Sequence, residues 1–579
     1  MKFQVRFKLI GFLFWFGLIF LISGISNKSL AQSTFQPLDA DIYHWITRAE
    51  IKTKALKGQF HSAIKAYQRK DVVALMDSNQ KWNPGLSRVD RYHIQYFREV
   101  NSEWAAPDSS QIRKRLWGAF FHRKADLLSY GDKDFDVHAN IVGYGSMGKS
   151  SDNDASTYIN TRGVEVRGLI GKKVGFYTFM ADNQMVVPGY VNQWTSLYHS
   201  VPHDGFWKRI GSNGYDFLTA RGYISFAATK FINFQVGHDR LNIGNGYRSL
   251  ILSDFGNNYS FAKINVKVWK IQYTTTFANT KLDPLVYPAG TPGSKWIPDK
   301  YMFVHRLGIN IGKSTNFGLF EVIIAGRDPA IYPNATKLDL SYLNPIIFYR
   351  SIEQNSGSPD NACLGMDFKT IPVKNLMMYG QLFLDEFLLK EATANTGWWG
   401  NKFATQIGLE YIDLFGLRNL DIQLEYNRVR PYTYSHQSSY TSYAHYGQPL
   451  ANPLGANFNE VIGILRWQPI PQITTSLKVI YYSKGLDIDT LNSLNYGGNV
   501  LRPYNDTRAS NYGNEIGQGR KVNVAFVDAT VSYQVSTNFF FDLKQVFRTM
   551  SGATLPTDKN TSYTSLSVRW NIPQRLHDF

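Results

Sequence analysis

An alternation of apolar and polar residues recurs through most of the chain, and it constrains the fold more than any other feature. In residues 564–572 every second residue is apolar. Alternation with period two is typical of a β-strand that has one face in an apolar medium. The apolar positions are Leu566, Val568, Trp570 and Ile572, and the polar ones are Ser565, Ser567, Arg569 and Asn571.

The same pattern in residues 420–427, 527–535 and 539–548 places charged side chains on one face of each strand. A sandwich core does not need so many charges, whereas a barrel with a lipid-facing exterior and a polar lumen does. Short connections such as "STN" (536–538) and "PIPQ" (469–472) alternate with long, polar ones. Outer-membrane barrels have this asymmetry, with the short turns in the periplasm.

We therefore predict an all-β transmembrane fold, an antiparallel outer-membrane β-barrel of about eighteen strands with a small N-terminal periplasmic helical region. An even number of strands leaves both ends of the barrel in the periplasm. The strands are predicted near residues 133–144, 162–171, 174–183, 219–229, 231–240, 258–266, 268–279, 302–311, 317–326, 362–369, 376–385, 403–413, 420–429, 458–468, 473–484, 525–535, 539–548 and 564–572.

The N-terminus predicts export. A basic start is followed by an apolar stretch, residues 9–22, and by small residues that end at Ala31. This order is typical of a secretory signal peptide, residues 1–31, cleaved after Ala31. The alternative, a membrane anchor, is disfavoured because the apolar stretch is short for a span. Cys363 is the single cysteine, so no intramolecular disulfide can form.

Residues 32–131 differ from the rest of the chain. Val89, His93, Tyr96 and Val100 recur at helical spacing after Ser87, and the serine with an acid three residues later is a helix start signal. Shorter helical patterns occupy residues 41–51 and 69–78. We predict that residues 32–131 form a helical element near or in the periplasmic mouth of a barrel, which residues 132–579 form.

Composition restricts the partners. The net charge is +17, and four lysines and arginines in residues 1–31 leave +13 on the remainder. An exported basic protein favours anionic partners such as acidic polysaccharide or lipid head groups, and nucleic acid is excluded as a partner. Aromatic residues make up 15% of the chain, which suits both membrane-interface girdles and sugar stacking.

No motif predicts catalysis. "GYGSMGKS" (143–150) matches a nucleotide-binding glycine pattern, but the polar "SDNDAST" follows where a helix is required, so we predict an extracellular loop there. Hydrolase, zinc-protease and paired-cysteine motifs are missing from the sequence. His199 and His203 are four residues apart in a loop, where a ligand role is disfavoured. We predict no enzymatic activity, no cofactor and no metal site.

Charged and amide residues cluster at the predicted outer rim or point into the predicted lumen. We interpret them as a polar network, and the alternative is a purely structural set of ion pairs that fixes loops inside the pore. These residues are Asp239, Arg240, Arg350, Glu353, Asn361, Asp385, Glu386, Glu425 and Asn427.

The long loops combine arginine with tyrosine. A guanidinium can bind a sugar carboxylate through two hydrogen bonds, and an aromatic face can cover the C–H side of a ring. Loop packing or an interface girdle is the alternative for each aromatic residue. The predicted polysaccharide-binding residues are Arg428, Arg430, Tyr432, Tyr434, Arg502, Tyr504 and Arg508.

Several stretches give the chain a family resemblance. "NTRGVEVRGLIGKKVGFYT", "VGHDRLNIGNGYRSLILSD", "LNPIIFYRSIEQNSGSPDN", "GQLFLDEF" and "NPLGANFNEVIG" resemble the Wzi family of capsule-assembly proteins. That family includes related gliding-motility barrel proteins described in Bacteroidetes. The resemblance implies a barrel of about eighteen strands with a periplasmic helical bundle and a lectin-like role in holding capsular polysaccharide.

Three functions stay open at this point. The first is a barrel that binds or anchors surface polysaccharide for capsule or exopolysaccharide assembly. The second is a gliding-motility or adhesion protein of the cell surface, and the third is a diffusion channel. In each case we expect a monomer in the outer membrane that contacts outer-membrane lipid and the barrel-insertion machinery. The first function adds acidic surface polysaccharide as a partner.

Overall fold

The computed structural model describes residues 32–53, 60–105, 123–211, 213–283, 297–328, 340–345, 349–487, 494–505, 507–552 and 559–579. The predicted signal peptide lies outside these residues. Eighteen antiparallel strands of the described residues form a closed barrel. Their bounds are β1 Phe135–Ser150, β2 Asn153–Ile170, β3 Val174–Val186, β4 Gly214–Ala227, β5 Ile232–Asp239, β6 Tyr259–Val268, β7 Ile271–Lys281, β8 Asp299–Ile311, β9 Thr315–Ala325, β10 Asn361–Val373, β11 Leu376–Glu386, β12 Lys402–Tyr411, β13 Leu420–Val429, β14 Phe458–Ile470, β15 Ile473–Leu486, β16 Arg520–Ser536, β17 Phe539–Ser551 and β18 Lys559–Trp570.

Each barrel strand pairs with its neighbours in sequence, and the barrel closes where β18 pairs with β1. Closure gives both edges of every strand a hydrogen-bonding partner, which is what a sheet in hydrocarbon requires. The predicted fold, the number of strands and their centres are confirmed. Several strands extend beyond their predicted ends, because both neighbours continue to supply backbone partners there.

One predicted loop is a strand. Residues 143–150, expected as an extracellular loop, form the second half of β1 and pair with β18 on one side and β2 on the other. Gly143 lies opposite Trp570, and Gly145 opposite Val568. The glycines suit a crowded sheet: a Cβ at Gly148 would lie 2.5 Å from the carbonyl oxygen of Thr564. The absence of a helix after this glycine pattern was predicted correctly.

The last strand has the two faces that its sequence predicts, with one exception. Leu566 is 65% exposed on the outer face, whereas Arg569 is buried on the lumen side. Ile572 was expected to continue the lipid-facing row, but it packs inside the lumen near Phe35. The reason is Asn571, which has a positive φ of 54° and turns the chain inward.

The two ends of the barrel differ in their connections. Short turns join β2 to β3, β6 to β7, β10 to β11 and β16 to β17. In the last two of these turns, Asn375 and Asn538 adopt the left-handed conformation that such turns favour. Long loops join the strands at the opposite end. Three of these loops contain helices, Gly189–Tyr198, Tyr349–Ser356 and Leu389–Thr393.

Three helices of the described residues precede the barrel: α1 Ala40–Thr53, α2 Arg69–Trp82 and α3 Arg88–Val100. All three helical predictions are confirmed. The predicted start of α3 is a complete capping box, in which Ser87 and Asp90 each accept a hydrogen bond from the other's backbone N–H. No helix among the described residues combines the length and the apolar character that crossing a bilayer requires.

The helices pack against the short-turn end of the barrel. Asp71 of α2 pairs with Lys267 at 3.0 Å, and the Tyr96 hydroxyl of α3 donates to Asn538 at 2.6 Å. A two-residue strand, Ile64–Lys65, continues into the lumen and pairs with Asn242–Ile243. The region before the barrel therefore contacts both the turns and the interior.

Arg48 connects α1 to α3 and to the barrel through three carboxylates. Its Nε lies 3.0 Å from Asp90 of α3, and Nη2 lies 2.5 Å from Asp413 in a short turn. Nη1 pairs with Asp421 of β13. Arg48 is 3% exposed, so its charge is desolvated and depends on these partners.

We predict that Arg48→Ala releases the helices from the barrel. Removing one partner of a buried ion cluster costs about 3–5 kcal/mol, because the remaining charges stay buried and unpaired. Limited proteolysis of the purified protein should cleave the helical region much faster in this variant. Arg98→Ala is the control. Arg98 pairs with Asp77 at a more exposed site, where an ion pair contributes about 0–1 kcal/mol to stability. Equal cleavage of the two variants would contradict the prediction.

Candidate functional site

Among the described residues, three segments occupy the lumen together with Ile64–Lys65. They are the loop 240–258 after β5, the loop 430–457 after β13, and residues 571–579 after β18. The first two loops pack on each other, with Leu250–Leu252 fully buried and the Tyr434 hydroxyl donating to the carbonyl of Leu250 at 2.8 Å. The lumen of the described barrel is thus occupied by ordered protein segments.

A charge cluster joins these segments to the barrel wall. Arg248 lies 3.3 Å from Glu460 and 3.1 Å from Asp578. Lys478 lies 2.7 Å from the same Asp578. Glu425 accepts a hydrogen bond from the backbone N–H of Arg248 at 3.1 Å. The cluster therefore fixes a loop and the last residues of the chain to three strands, β13, β14 and β15.

A second charge cluster lies nearer the long-loop end. Lys402 is fully buried between Asp385, at 3.2 Å, and Glu386, at 3.1 Å. Asp385 also accepts from the backbone N–H of Tyr434 at 2.8 Å. Asn427 extends the first cluster by donating to Glu425 at 2.8 Å. The predicted polar residues Asp385, Glu386, Glu425 and Asn427 lie in these two clusters.

The other predicted polar residues lie elsewhere. Asp239 accepts from the backbone N–H of Arg240 at the end of β5, and Asn361 is buried at the start of β10. The side chain of Arg350 is exposed, outside both clusters. The side chain of Glu353 lies outside the described residues.

Arg428 and Arg430 differ in environment. Arg428 is exposed on the outer face of β13, because it alternates with the buried Asn427 and Val429. Arg430 is half-buried, and its Nε donates to the carbonyl of Asn401 at 2.8 Å. Burial, together with the charge of Arg428, lowers the pKa of Arg430. Arg430 therefore holds loops together.

Tyr432 and Tyr434 are fully buried, which corrects their interpretation as sugar-stacking residues. The Tyr432 hydroxyl donates to the carbonyl of Asn495 at 2.8 Å, and Tyr434 bonds Leu250 as described above. Both have positive φ angles, 65° and 72°, at which the loop folds back into the lumen. Neither ring presents a free face to a sugar.

Three of the loop side chains, Trp399, Tyr504 and Arg508, form what we call the outer aromatic cluster. The guanidinium of Arg508 lies 4.0 Å from the Trp399 ring centroid, and the Tyr504 ring lies 4.7 Å from it. Burial raises the pKa of Tyr504 to about 12, so its hydroxyl stays protonated at neutral pH. Arg502, also predicted here, bonds Asp487 at 3.1 Å in the same loop.

Sequence reasoning missed several residues of the charge clusters. Glu460 and Lys478 occupy lumen-facing positions of β14 and β15, so the alternation could have identified them. Arg248 and Asp578 lie in irregular segments, where no periodicity indicates direction. Among the described residues, no three His, Cys, Asp or Glu side chains are grouped as a metal site would require.

The likeness to solved structures is distant in sequence and close in architecture. The chain aligns with the Wzi structure, titled an outer-membrane protein involved in group 1 capsule assembly in Escherichia coli and a carbohydrate-binding β-barrel. The TM-score is 0.53 at 12% identity, over 93% of this chain and 99% of Wzi. This chain is a β-barrel of the outer-membrane type.

Two other solved structures come from Pseudomonas aeruginosa. OprD aligns with a TM-score of 0.40 and 10% identity, over 75% of this chain and 94% of OprD. OccK8 (OprE) aligns with a TM-score of 0.41 and 8% identity, over 76% and 98%. No protein-family model matches the sequence, and no curated protein matches it.

We predict that the purified protein conducts little current in planar bilayers. The three lumen segments and their ion pairs leave internal cavities where an open pore would be. Single-channel recording measures this directly. Large, steady conductance of porin size would show that the lumen segments leave the barrel in a membrane.

Proposed function

We propose that this protein is an outer-membrane barrel that binds acidic surface polysaccharide at its outer loops and anchors it to the cell. The observation on which the proposal rests is the outer aromatic cluster, where tryptophan, tyrosine and arginine meet at the long-loop end. The filled lumen favours a binding role over a diffusion channel. Carbohydrate binding by Wzi, a barrel of similar fold, supports the same function.

Hydrogen bonds hold the side chains of the outer aromatic cluster in place. Nε and Nη2 of Arg508 donate to one oxygen of Asn511, at 3.1 and 2.7 Å, which holds the guanidinium against Trp399. The backbone N–H of Trp399 donates to the carbonyl of Asn511 at 3.0 Å, so two long loops are paired here. Lys402 lies 4.6 Å from the Tyr504 ring centroid. Ordered groups lose little entropy when they bind a ligand.

The surface around the cluster suits an acidic sugar. Trp398 and Trp399 are half-buried, and Tyr512 is 54% exposed. A partly open aromatic ring covers the C–H face of a sugar, and a guanidinium donates to its carboxylate. One such contact contributes about 1–3 kcal/mol, so stable retention needs many repeats along one polymer.

We also propose how the protein reaches the outer membrane and in what form it acts there. The chain is exported by a cleaved signal peptide and inserted by the barrel machinery. It then acts as a monomer, and barrel closure leaves no free strand edge at which a second copy could pair. The exposed apolar faces of the strands contact outer-membrane lipid. The role is non-enzymatic.

We predict that Trp399→Ala combined with Arg508→Ala sheds polysaccharide into the medium while barrel abundance stays unchanged. The double variant removes both the ring face and the cation. Lys390→Ala is the matched control, because it removes an exposed positive charge from the loop that contains Trp399 without touching the cluster. Surface and released polysaccharide are quantified in both strains. Full retention by the double variant would rule out this cluster as the binding site.

We predict that binding of purified acidic polysaccharide weakens as salt increases. Exposed charges are screened over about 10 Å at 0.1 M salt and about 3 Å at 1 M. Surface plasmon resonance at a series of NaCl concentrations measures the effect. An affinity that does not depend on salt would argue against recognition through arginine.

A further inference from the structure

An internal chamber lies in the lumen, away from the outer aromatic cluster. It is lined by the start of α1, the loop 240–258 and residues 572–578, and its volume is about 220 Å³. At about 30 Å³ for each water molecule, this volume holds about seven waters or one small organic molecule. The chamber is polar, which distinguishes it from an ordinary packing defect.

Four cationic side chains line the chamber without a carboxylate partner: Lys65, Arg221, Arg240 and Arg466. No carboxylate oxygen of the described residues lies within 4.0 Å of their charged nitrogens. Their protein contacts are neutral, since Arg240 donates to the carbonyl of Asp254 at 3.1 Å and Arg466 to Gln423 at 3.1 Å. None of these four charges therefore has an ion-pair partner among the described residues.

Arg221 is the most buried of the four, at 9% exposure. Its guanidinium lies 4.2 Å from the Phe179 ring centroid, and its Nε has no hydrogen-bond partner among the described residues. The Nε of Arg240 also lacks one. Burial lowers the pKa of Arg240, and the charge of Arg221 lowers it further. Two adjacent guanidinium groups thus face one polar space.

The carboxylates that line the chamber are mostly occupied. Asp204 pairs with Arg575 at 2.8 Å, Glu410 with His44 at 2.9 Å, and Asp578 with the cluster around Arg248. Asp254 accepts from Asn242 at 3.1 Å. Burial raises the pKa of Asp39 to about 6, which reduces its negative charge near neutral pH. Among the lining side chains without an ion-pair partner, the cations therefore outnumber the carboxylates.

We propose that this chamber binds a compact oxyanion: a carboxylate or phosphate group on a ligand no larger than one sugar ring, held by Arg221 and Arg240. A guanidinium group whose Nε has no hydrogen-bond partner is unfavourable away from water, and an oxyanion would accept hydrogen bonds from both. Arg466 and Lys65 add positive charge to the lining of the same space. The site is separate from the outer loops, so it goes beyond the polymer-binding function proposed above.

The test uses the full-length protein, folded in detergent. Glucuronate, inorganic phosphate and neutral glucose are added separately, and binding is measured by isothermal titration and by the rise in unfolding temperature that a native-state ligand causes. Glucuronate, phosphate or both should bind, and glucose should not. Binding of phosphate alone identifies a phosphate-sized ligand, and binding of glucuronate alone identifies a sugar acid. Binding of neither, or equal binding of glucose, overturns the proposal.

Variants locate the site. Arg221→Gln and Arg240→Gln should each weaken anion binding by about tenfold to a hundredfold, in line with the loss of a charged hydrogen bond. Arg98→Gln, in α3 outside the chamber, should leave binding unchanged. A heat-dependent shift in electrophoretic mobility establishes that each variant is folded. If one fails to fold, Arg466→Gln replaces it. Folded chamber variants that bind with wild-type affinity overturn the proposal, whatever the outer-loop variants do to polysaccharide.

Discussion

Closure of the backbone hydrogen-bond ladder between β18 and β1 is the constraint on which the rest of the structure depends. A sheet in hydrocarbon cannot leave an edge unpaired, so the strands must form a ring. A ring of eighteen strands encloses a wide interior. The interior is lined by the polar half of every alternating strand. The protein fills it with loops and chain ends whose charges match those of the wall.

The filling segments make the loops part of the folded core. Arg248 in one loop and Asp578 near the end of the chain bind each other and two strand residues, Glu460 and Lys478. Each charge is buried, so each partner is needed to offset the desolvation of the others. The loop 430–457 connects the lumen segments to the loops that hold the outer aromatic cluster, because Arg430 donates to the carbonyl of Asn401 and Tyr432 to that of Asn495. A barrel wall, a plugged lumen and an ordered outer surface are thus one connected structure.

The barrel could be predicted from sequence because alternation reports the direction of every strand side chain. Helix α3 could be predicted because Ser87 and Asp90 satisfy its first N–H groups locally. The prediction of a loop at residues 143–150 was wrong. Glycine has little strand propensity, but pairing with the two neighbouring strands outweighs it. The prediction that Ile572 faces lipid was wrong because a single left-handed residue, Asn571, ends the alternation. Both failures depend on contacts or dihedral angles that a periodic pattern does not contain.

The functional residues show the same difference: those on strands could be predicted, and those in loops could not. Glu425, Asn427 and Asp385 lie on strands, where the alternation of side chains predicts that they face the lumen. Tyr432 and Tyr434 lie in a loop, where exposure depends on how the loop folds, and this loop folds inward. Arg221 faces the lumen as its strand predicts, but its lack of a carboxylate partner emerges only when the loops are in place. Arg221 and Arg240 are informative because they line one space, where an oxyanion would accept hydrogen bonds that no carboxylate of the described residues accepts.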